Sequence, residues 1–270
     1  EIKTAVEKAS GFVIGSPTLG GHAPTQIQTA LGIILSTAAK SKIAGVFGSF
    51  GWSGEAVDIL EGKLKDAGYR FGFDPIRVKF KPDEKTLQMC EEAGVDFAQT
   101  LKKAKKVKAP VQSSTTVEQA VGRIIGSLCI VTAKQGDISS AMLASWVSQA
   151  SFNPPGLTIA VAKDRALESL MHSGNNFVLN VLKEGNHLGM MKHFLKRFGP
   201  GEDRFAGIET EETENGSPAL TDALAYVECS VNSRMECGDH WLVYATVDNG
   251  KVLNNEGVTA VHYRKTGTHY

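Results

Sequence analysis

The stretch GVFGSFGWSGEA, residues 45–56, places a glycine at every third position, at Gly45, Gly48, Gly51 and Gly54. It follows the apolar run 42–47, which predicts a buried strand, and precedes a helical pattern with Ser53 as the candidate N-cap. Small residues after a strand let the backbone approach a flat ligand closely, and the rings of Phe50 and Trp52 can stack on it. The stretch therefore predicts either a ligand loop or two glycine-rich turns beside a core tryptophan.

Residues 1–106 alternate between strand and helix patterns. Strands are predicted within 12–14, 42–47 and 75–80, and helices follow Pro24, Ser53 and Pro82. This alternation predicts a doubly wound parallel sheet, whose ligands sit where the strands end. A second small-residue loop, GSPTLGG at residues 15–21, ends the first strand. Since three strands are fewer than an open α/β sheet normally has, we expect this domain to be incomplete.

The loops GSPTLGG (15–21) and GSFGWSGEA (48–56) resemble the two flavin loops of the flavodiiron proteins, or A-type flavoproteins. The resemblance implies a flavodoxin-like domain whose FMN ring lies between these loops. The residues that it assigns to FMN are Ser16, Pro17, Thr18 and Leu19 in the first loop, and Gly48, Ser49, Phe50, Gly51, Trp52 and Gly54 in the second. The family usually has Tyr where Phe50 stands, so the stacking surface is kept and a hydroxyl is lost.

Two further parts of that family have no counterpart in this sequence. One is the Ser/Thr-rich phosphate loop of the flavodoxin-like domain, and the other is a metallo-β-lactamase-like domain that binds two irons. The resemblance therefore implies a piece of a longer protein whose diiron centre lies in a missing N-terminal domain. We expect the flavodoxin-type FMN site of this chain to be empty or weak.

Residues 107–116 are predicted to be a linker between two domains. The lysine-rich stretch around it suits a helix C-terminus, and a basic docking patch is the alternative. From residue 117 onward, strand patterns predict a closed barrel. The predicted strands are 127–133, 138–147, 157–162, 176–182, 224–234, 240–248 and 257–264, with helices at 117–125, 165–172 and 187–197 and turns at Gly136-Asp137 and Asn249-Gly250.

The stretch SAMLASWVSQASFNPPGLTIAV, residues 140–161, resembles the flavin reductase family, a β-rich split barrel that binds FMN, and the resemblance extends over residues 117–270. It assigns the flavin ring and side chain to Ala144, Ser145, Trp146, Val147, Ser148, Ser151, Asn153 and Pro154. Lys163, Arg165 and Ser169 fit a phosphate site, because cations and a helix N-terminus favour an anion; a solvated turn is the alternative. His262 and Arg264 are candidates for the nicotinamide side, although a strand histidine and a barrel tryptophan are often simply structural.

Composition excludes several other classes. Lys and Arg together number 29, as do Asp and Glu, so nothing favours a nucleic-acid or anionic-membrane partner. No apolar run reaches the length of a membrane span, and four cysteines favour a reducing, cytoplasmic compartment. Metal motifs such as Cys-x-x-Cys and the Gly-x-Ser-x-Gly elbow of serine hydrolases are absent. We assign no metal site.

The order of the two domains resembles the flavodiiron proteins of oxygenic phototrophs such as cyanobacteria. It implies an oxidoreductase that passes electrons from NAD(P)H through FMN in the reductase domain to FMN in the flavodoxin-like domain. A diiron centre outside this chain would then reduce oxygen, the final acceptor, to water. The family also implies a homodimer, or a hetero-oligomer with a related subunit. Two alternatives are a free-standing NAD(P)H:flavin reductase and a non-catalytic subunit.

Overall fold

The computed structural model describes residues 1–108 and 115–267, and in residues 106–108 the backbone alone. The chain divides into two compact units. Unit 1 is Glu1–Pro110 with Gly199–Glu202, and unit 2 is Val111–Phe198 with Asp203–Tyr270. Most of the predicted linker 107–116 lies outside the described residues, so the linker stays a prediction.

Among the described residues, unit 1 contains a parallel sheet of four strands. The strands are β1 (Gly11–Pro17), β2 (Ile43–Phe50), β3 (Arg70–Phe71) and β4 (Ile76–Lys79), and the helices are α1 (Ile2–Lys8), α2 (Thr25–Thr37), α3 (Glu55–Asp66) and α4 (Glu84–Lys108). β2 pairs with β1 along its length, with β3 at its start and with β4 at its end. The parallel sheet predicted from the alternation of strands and helices is confirmed, whereas α1 and β3 were not predicted.

The helices of unit 1 agree with the sequence patterns only in part. Helix α3 follows β2 as predicted and buries Val57, Leu60 and Leu64. Its N-cap is Gly54 and not Ser53, and the cap residue makes no side-chain hydrogen bond. The Ser53 side chain instead hydrogen-bonds the Glu55 carboxylate, which holds the pKa of that carboxyl below its usual range. Helix α4 begins at Glu84, after Pro82 as predicted, and its Leu87 and Cys90 are exposed.

Unit 2 is built on an antiparallel sheet in the order β6-β5-β9-β12-β13-β8-β7. Its strands are β5 (Cys129–Gln135), β6 (Ile138–Ala144), β7 (Val147–Phe152), β8 (Pro155–Ala162), β9 (Asn176–Val181), β12 (Ala225–Cys237) and β13 (His240–Val252). A short hairpin, β10 (Thr210–Glu212) with β11 (Pro218–Leu220), was not predicted. The helices are α5 (Thr116–Val121), α6 (His187–Leu195) and a 3₁₀ helix, Ala166–Leu170.

The two ends of this sheet meet along the chain. β6 and β7 are the outermost strands of the order, yet only Ser145 and Trp146 separate them in sequence. A link of two residues spans less than about 11 Å, so the edges approach each other there, as closure of a barrel requires. Inside the sheet, the side chains of Phe177, Ile159 and Val243 are fully buried.

Three predictions for unit 2 are wrong in detail. The predicted strand 138–147 breaks at Ser145. The predicted strand 257–264 makes only isolated bridges, because Ala260 accepts from Leu128 and donates to Leu182 while crossing between two strands instead of following one. Asn249-Gly250 is not a turn, since it lies within β13. The hairpin turn is Gly238-Asp239, where Gly238 has a φ of 62°.

Candidate functional site

The two small-residue loops of unit 1 lie side by side. β1 and β2 run parallel with Ser16 opposite Gly48 and Pro17 opposite Ser49, so both strands end at the same edge of the sheet. The Thr18 N–H donates to the Ser49 carbonyl oxygen at 2.8 Å. The residues that the sequence assigned to the flavodoxin-type flavin loops are therefore neighbours at the carboxyl edge of the sheet, where doubly wound sheets bind ligands.

The side chains at this edge point to solvent more than to the core. Trp52 is 92% exposed and Leu19 is 63% exposed, so the interpretation of Trp52 as a core tryptophan is wrong. The Ser16 hydroxyl donates to the Pro17 carbonyl, whereas the buried Thr18 Oγ1 has no hydrogen-bond partner in the described part of the chain. An exposed indole and an unsatisfied hydroxyl on adjoining loops fit a flat ligand with polar edges.

The packing of the chain explains why glycine stands at positions 45, 48, 51 and 54. A Cβ added to any of the four would meet protein: Gly45 faces Phe73, Gly48 faces Val57 and the Ser16 carbonyl, Gly51 faces Phe80, and Gly54 faces Phe50. At Gly48 the added carbon would lie 2.5 Å from Val57 and closer still to the Ser16 oxygen. The packing of the chain against itself thus accounts for the threefold spacing without a ligand, and the interpretation of these glycines as room for a ligand stays a prediction.

Phe80 is a residue at this edge that the sequence analysis missed. Its N–H donates to the Phe50 carbonyl oxygen at 2.8 Å, so it continues the pairing of β4 with β2 beyond Lys79. Its ring is 64% exposed. The signal available in the sequence was an aromatic residue at the very end of the third predicted strand, close to the same edge as the two small-residue loops.

In unit 2, Trp146 connects the residues predicted to bind the flavin ring with Arg264, which was predicted on the nicotinamide side. Its indole centroid lies 4.9 Å from the His240 ring and 4.9 Å from the Arg264 guanidinium carbon. Arg264 is buried and donates to the Ile124 carbonyl oxygen at 3.3 Å. The neighbouring Ser145 is also buried. The structure therefore places Arg264 against a tryptophan and a backbone carbonyl. His240, which contacts the same tryptophan, was not among the predicted residues.

The β7–β8 hairpin carries the rest of the predicted ring-binding set. Val147, Ser148 and Ser151 lie on β7, and Asn153 and Pro154 form the turn through a cis peptide bond. Ser148, Asn153 and Pro154 are exposed, whereas Ala144 is buried at the end of β6. The hairpin thus offers hydroxyls and an amide to solvent directly after the Ser145-Trp146 link, where the two sheet edges meet.

The three predicted phosphate residues differ in their surroundings. The Lys163 ammonium pairs with Glu236 and lies 5.0 Å from the Trp241 ring centroid. The Ser169 hydroxyl donates to the Ala166 carbonyl at 3.0 Å. Within residues 1–108 and 115–267, no ion pair or side-chain hydrogen bond involves the Arg165 guanidinium. Arg165 is therefore the cation that can bind a phosphate without breaking an existing pair.

Two features of this region depart from the sequence analysis. The predicted helix is a 3₁₀ helix of five residues, so a helix dipole adds little for an anion. A second cation, Arg234, lies 4.3 Å from Trp241 and pairs with Glu168. The sequence did not indicate Arg234 or Trp241, because they come near residues 163–169 only through the folding of β12 and β13.

The titratable groups near these residues are few. Burial, and then the charge of Arg264, lower the pKa of His262 from its ordinary value of 6.5, so its imidazole takes up a proton at a lower pH than an exposed histidine does. Burial raises the pKa of Cys129 to about 12 and also raises the pKa of Cys229, so neither thiol is reactive. In the part of the chain that the structure describes, no group of three His, Cys, Asp or Glu side chains converges as a metal site would require. None of the described helices has the length and apolarity needed to cross a bilayer.

Comparison with known proteins identifies unit 2. The profile of the flavin reductase like domain matches residues 121–269, more than half of the chain. The chain belongs to the flavin reductase-like family. The solved structure of the NADH:FAD oxidoreductase SgcE6 of Streptomyces globisporus C-1027 is 23% identical, with a TM-score of 0.51, and covers 58% of this chain and 94% of that one. That likeness concerns the fold alone, and the large antiparallel sheet of this flavin reductase-like domain fits the predicted split barrel.

Relatives of known name extend beyond the flavin reductase-like domain. A putative diflavin flavoprotein A of Nostoc is 78% identical over all 270 residues, which are 47% of its own length. A flavodiiron core of Synechocystis, Flv1, is 71% identical over 38% of this chain and 26% of that one, with a TM-score of 0.38. The chain spans about half the length of the curated relatives it matches. The predicted resemblance to A-type flavoproteins and the assignment to the oxidoreductases are confirmed at this family level.

Proposed function

We propose that this chain is the electron-input part of a flavodiiron NAD(P)H:oxygen oxidoreductase. It takes electrons from a pyridine nucleotide at residues 117–270 and delivers them through residues 1–106 to a diiron centre outside this chain, with oxygen as the final acceptor. The observation that carries the proposal is that this chain resembles a diflavin flavoprotein over its whole length and also contains a flavin reductase-like domain.

Within the flavin reductase-like domain, the proposed FMN site is built from residues 144–169. Ser145, Ser148 and Ser151, with Asn153, would hold the ring and the ribityl chain, while the Arg165 guanidinium matches a phosphate in geometry and charge. Bound FMN supplies hydride and single-electron chemistry that no protein side chain provides. The chain's own task is to bind and orient it, for which the Arg165 guanidinium, without an ion pair in the described part of the chain, and the exposed Ser148 hydroxyl are suited.

Within unit 1, we propose a flavodoxin-like domain whose carboxyl edge binds a second flavin ring. The parallel sheet, the exposed Trp52 and the unsatisfied Thr18 hydroxyl support this assignment. These loops offer ring contacts but no cluster of phosphate ligands. Since charge-assisted hydrogen bonds contribute about 1.5–3 kcal/mol each, a site without them binds FMN more weakly than the site in unit 2.

Around Trp146, the proposed role of the protein is to fix one wall of the flavin site and exclude water. The indole packs on His240 and Arg264, so its position is set from two elements. His262, whose lowered pKa keeps it neutral, would offer an uncharged imidazole on the nicotinamide side. Neither residue needs to move a proton for hydride transfer, so no acid–base pair is required here.

Purified chain, loaded with FMN, tests the proposal directly. We expect oxidation of NADH or NADPH that depends on FMN, and an absorption spectrum of bound flavin after gel filtration. Arg165→Gln should retain less flavin after gel filtration and need more FMN for the same rate, whereas Lys134→Gln, the exchange of an exposed cation that pairs with Glu212, should change neither. Flavin-dependent oxidation no faster than that of free FMN with either nucleotide would exclude the oxidoreductase function.

A free-standing NAD(P)H:flavin reductase is the second candidate. It is favoured by the fold likeness to SgcE6, a protein named as an NADH:FAD oxidoreductase, which this chain covers almost completely. Such an enzyme would release reduced flavin, so turnover would rise with added FMN and little flavin would survive gel filtration. The electron-input function predicts the opposite, retained flavin and transfer to an acceptor protein. We also propose a cytoplasmic location and a homodimer or hetero-oligomer.

A further inference from the structure

Phe80 has a backbone conformation that its side chain disfavours. Among the described residues it is the one non-glycine with a positive φ, 55°, a left-handed value that is unusual for a bulky aromatic residue. Such strain persists only where the surrounding structure imposes it, and it concentrates at functional sites. The strain at Phe80 therefore calls for an explanation in terms of what its ring does.

Burial does not explain the strain. The ring is 64% exposed, so little apolar area is gained by holding it in place. The backbone around it is fixed instead, because the Phe80 N–H donates to the Phe50 carbonyl at 2.8 Å in continuation of the β2–β4 pairing. The Lys79 ammonium lies 5.9 Å from the ring centroid, near the limit of a cation–π contact.

The ring is directed across the second small-residue loop. A Cβ added to Gly51 would lie 3.1 Å from Phe80 Cε1, so the missing side chain of Gly51 makes room for this ring. Gly51 stands between Phe50, which pairs with the strand of Phe80, and the exposed Trp52. Three aromatic residues thus end on the same carboxyl edge of the sheet.

We propose that Phe80 is an aromatic contact for the planar heterocycle bound at the carboxyl edge of unit 1, beside Phe50 and Trp52. The inference rests on the proposed flavin site there and adds a residue to it. The left-handed backbone turns the ring out of the core and over Gly51, where it presents an apolar face to the ligand. The strained backbone at this position lowers the stability of the fold and holds the ring where it can contact the ligand.

The decisive variant is Phe80→Gly, because glycine adopts a positive φ without cost. We expect its melting temperature to rise by roughly 2–4 °C, since the strain of the left-handed backbone is relieved. The same variant should bind FMN at the unit 1 site roughly two- to tenfold more weakly, since the aromatic ring is gone. A ring needed only for packing would instead lower the melting temperature when removed.

FMN binding to the full chain is measured by equilibrium dialysis. We expect a binding curve with two phases, of which the weaker reports the proposed site in unit 1. The phase is assigned by 5-fluorotryptophan labelling, in which the ¹⁹F signal of Trp52 is identified from its loss in Trp52→Phe. Phe80→Tyr keeps both ring and strain, so it should match the parent chain in both measurements. Phe80→Ala removes the ring but keeps the positive φ, and should weaken binding with no rise in melting temperature.

Two outcomes overturn the inference, and they are distinguishable. If Phe80→Gly leaves the weaker phase unchanged, or lowers the melting temperature, while Trp52→Ala weakens that phase, Phe80 is no ligand contact and the proposed site stands. If millimolar FMN leaves the Trp52 signal of the parent chain unmoved, the flavin site of unit 1 is itself refuted, and this inference falls with it.

Discussion

The exchange Arg165→Gln separates recognition of the flavin phosphate from recognition of its ring. Arg165 precedes the 3₁₀ helix of unit 2, and in the described part of the chain its guanidinium has no ion pair or side-chain hydrogen bond. Lys163, two residues earlier, already pairs with Glu236 and packs on Trp241. FMN and riboflavin differ only in the 5′-phosphate, so the ratio of their dissociation constants isolates the contribution of this cation.

The expected magnitude follows from the hydrogen bond that the guanidinium would donate to the phosphate. A hydrogen bond between charged groups contributes about 1.5–3 kcal/mol. Because each 1.4 kcal/mol is a tenfold change, Arg165→Gln should weaken FMN binding roughly 10- to 100-fold and leave riboflavin binding unchanged. Lys163 is already paired with the exposed Glu236, so Lys163→Gln should weaken FMN binding less than Arg165→Gln does.

Isothermal titration of flavin-free protein with FMN and with riboflavin provides the assay. The parent chain, Arg165→Gln, Lys163→Gln and the control Lys134→Gln are compared at one ionic strength, and unchanged circular dichroism shows that each is folded. The reasoning is refuted if Lys163→Gln abolishes the preference for FMN while Arg165→Gln keeps it. It is equally refuted if the parent chain binds the two flavins with the same affinity.

Three further predictions concern the rest of the chain. Trp52→Ala should leave one tight FMN site per chain, counted by titration, whereas Ser145→Leu should remove it; two tight sites of similar affinity would contradict the proposed asymmetry. His262 has a lowered pKa, so acidification below pH 6.5 protonates the unfolded chain first and destabilises the fold; His262→Gln should flatten the fall in melting temperature between pH 7.5 and 5.5, and an unchanged profile would exclude this cause. Val117, Ile124 and Tyr263 are exposed in unit 2, so we expect a dimer by sedimentation, and a mass near 28.9 kDa at micromolar concentration would contradict it.

Local patterns predicted much of the fold. The alternation of apolar runs in residues 1–106 predicted the parallel sheet, and Gly136-Asp137 predicted the β5–β6 turn. Errors arose where long-range pairing competes with local chemistry. Asn249-Gly250 is a strong turn signal, but the β12–β13 ladder extends through it to the pair Ala225 and Val252. The tail 257–264 has a strand composition, yet its backbone bonds go to different strands.

The candidate site was less predictable, because its side chains meet across long distances in sequence. The motif residues stood out by type, but nothing local reveals that Lys163 is paired with Glu236, 73 positions away, or that Arg264 packs on Trp146. These partners decide which cation can bind a ligand and which is structural. A sequence motif therefore indicates the chemistry of a site, and the packing around it decides the roles.

The glycine spacing that first indicated a ligand loop can be tested without any ligand. A Cβ on Gly48 would lie 2.5 Å from Val57 and closer to the Ser16 carbonyl oxygen. The backbone of β1 cannot move aside cheaply, because Ser16 lies in register with Gly48 in the ladder. We expect Gly48→Ala to lower the free energy of unfolding by about 1–3 kcal/mol, as overpacking of a core does, in flavin-free protein.

Gly62 supplies the matched control. It lies within α3, where an added Cβ would meet nothing within 4 Å. Gly62→Ala should therefore stabilise the protein by about 0.5–1 kcal/mol, because alanine loses less backbone entropy in a helix. Urea unfolding of both variants decides between two roles for the glycine at position 48. If Gly48→Ala keeps full stability and loses only flavin affinity, Gly48 serves the ligand. If the flavin-free Gly48→Ala protein is less stable than the parent chain, the packing of β1, β2 and α3 requires this glycine. The glycine then serves the fold of the proposed flavin loop whether or not a flavin is bound.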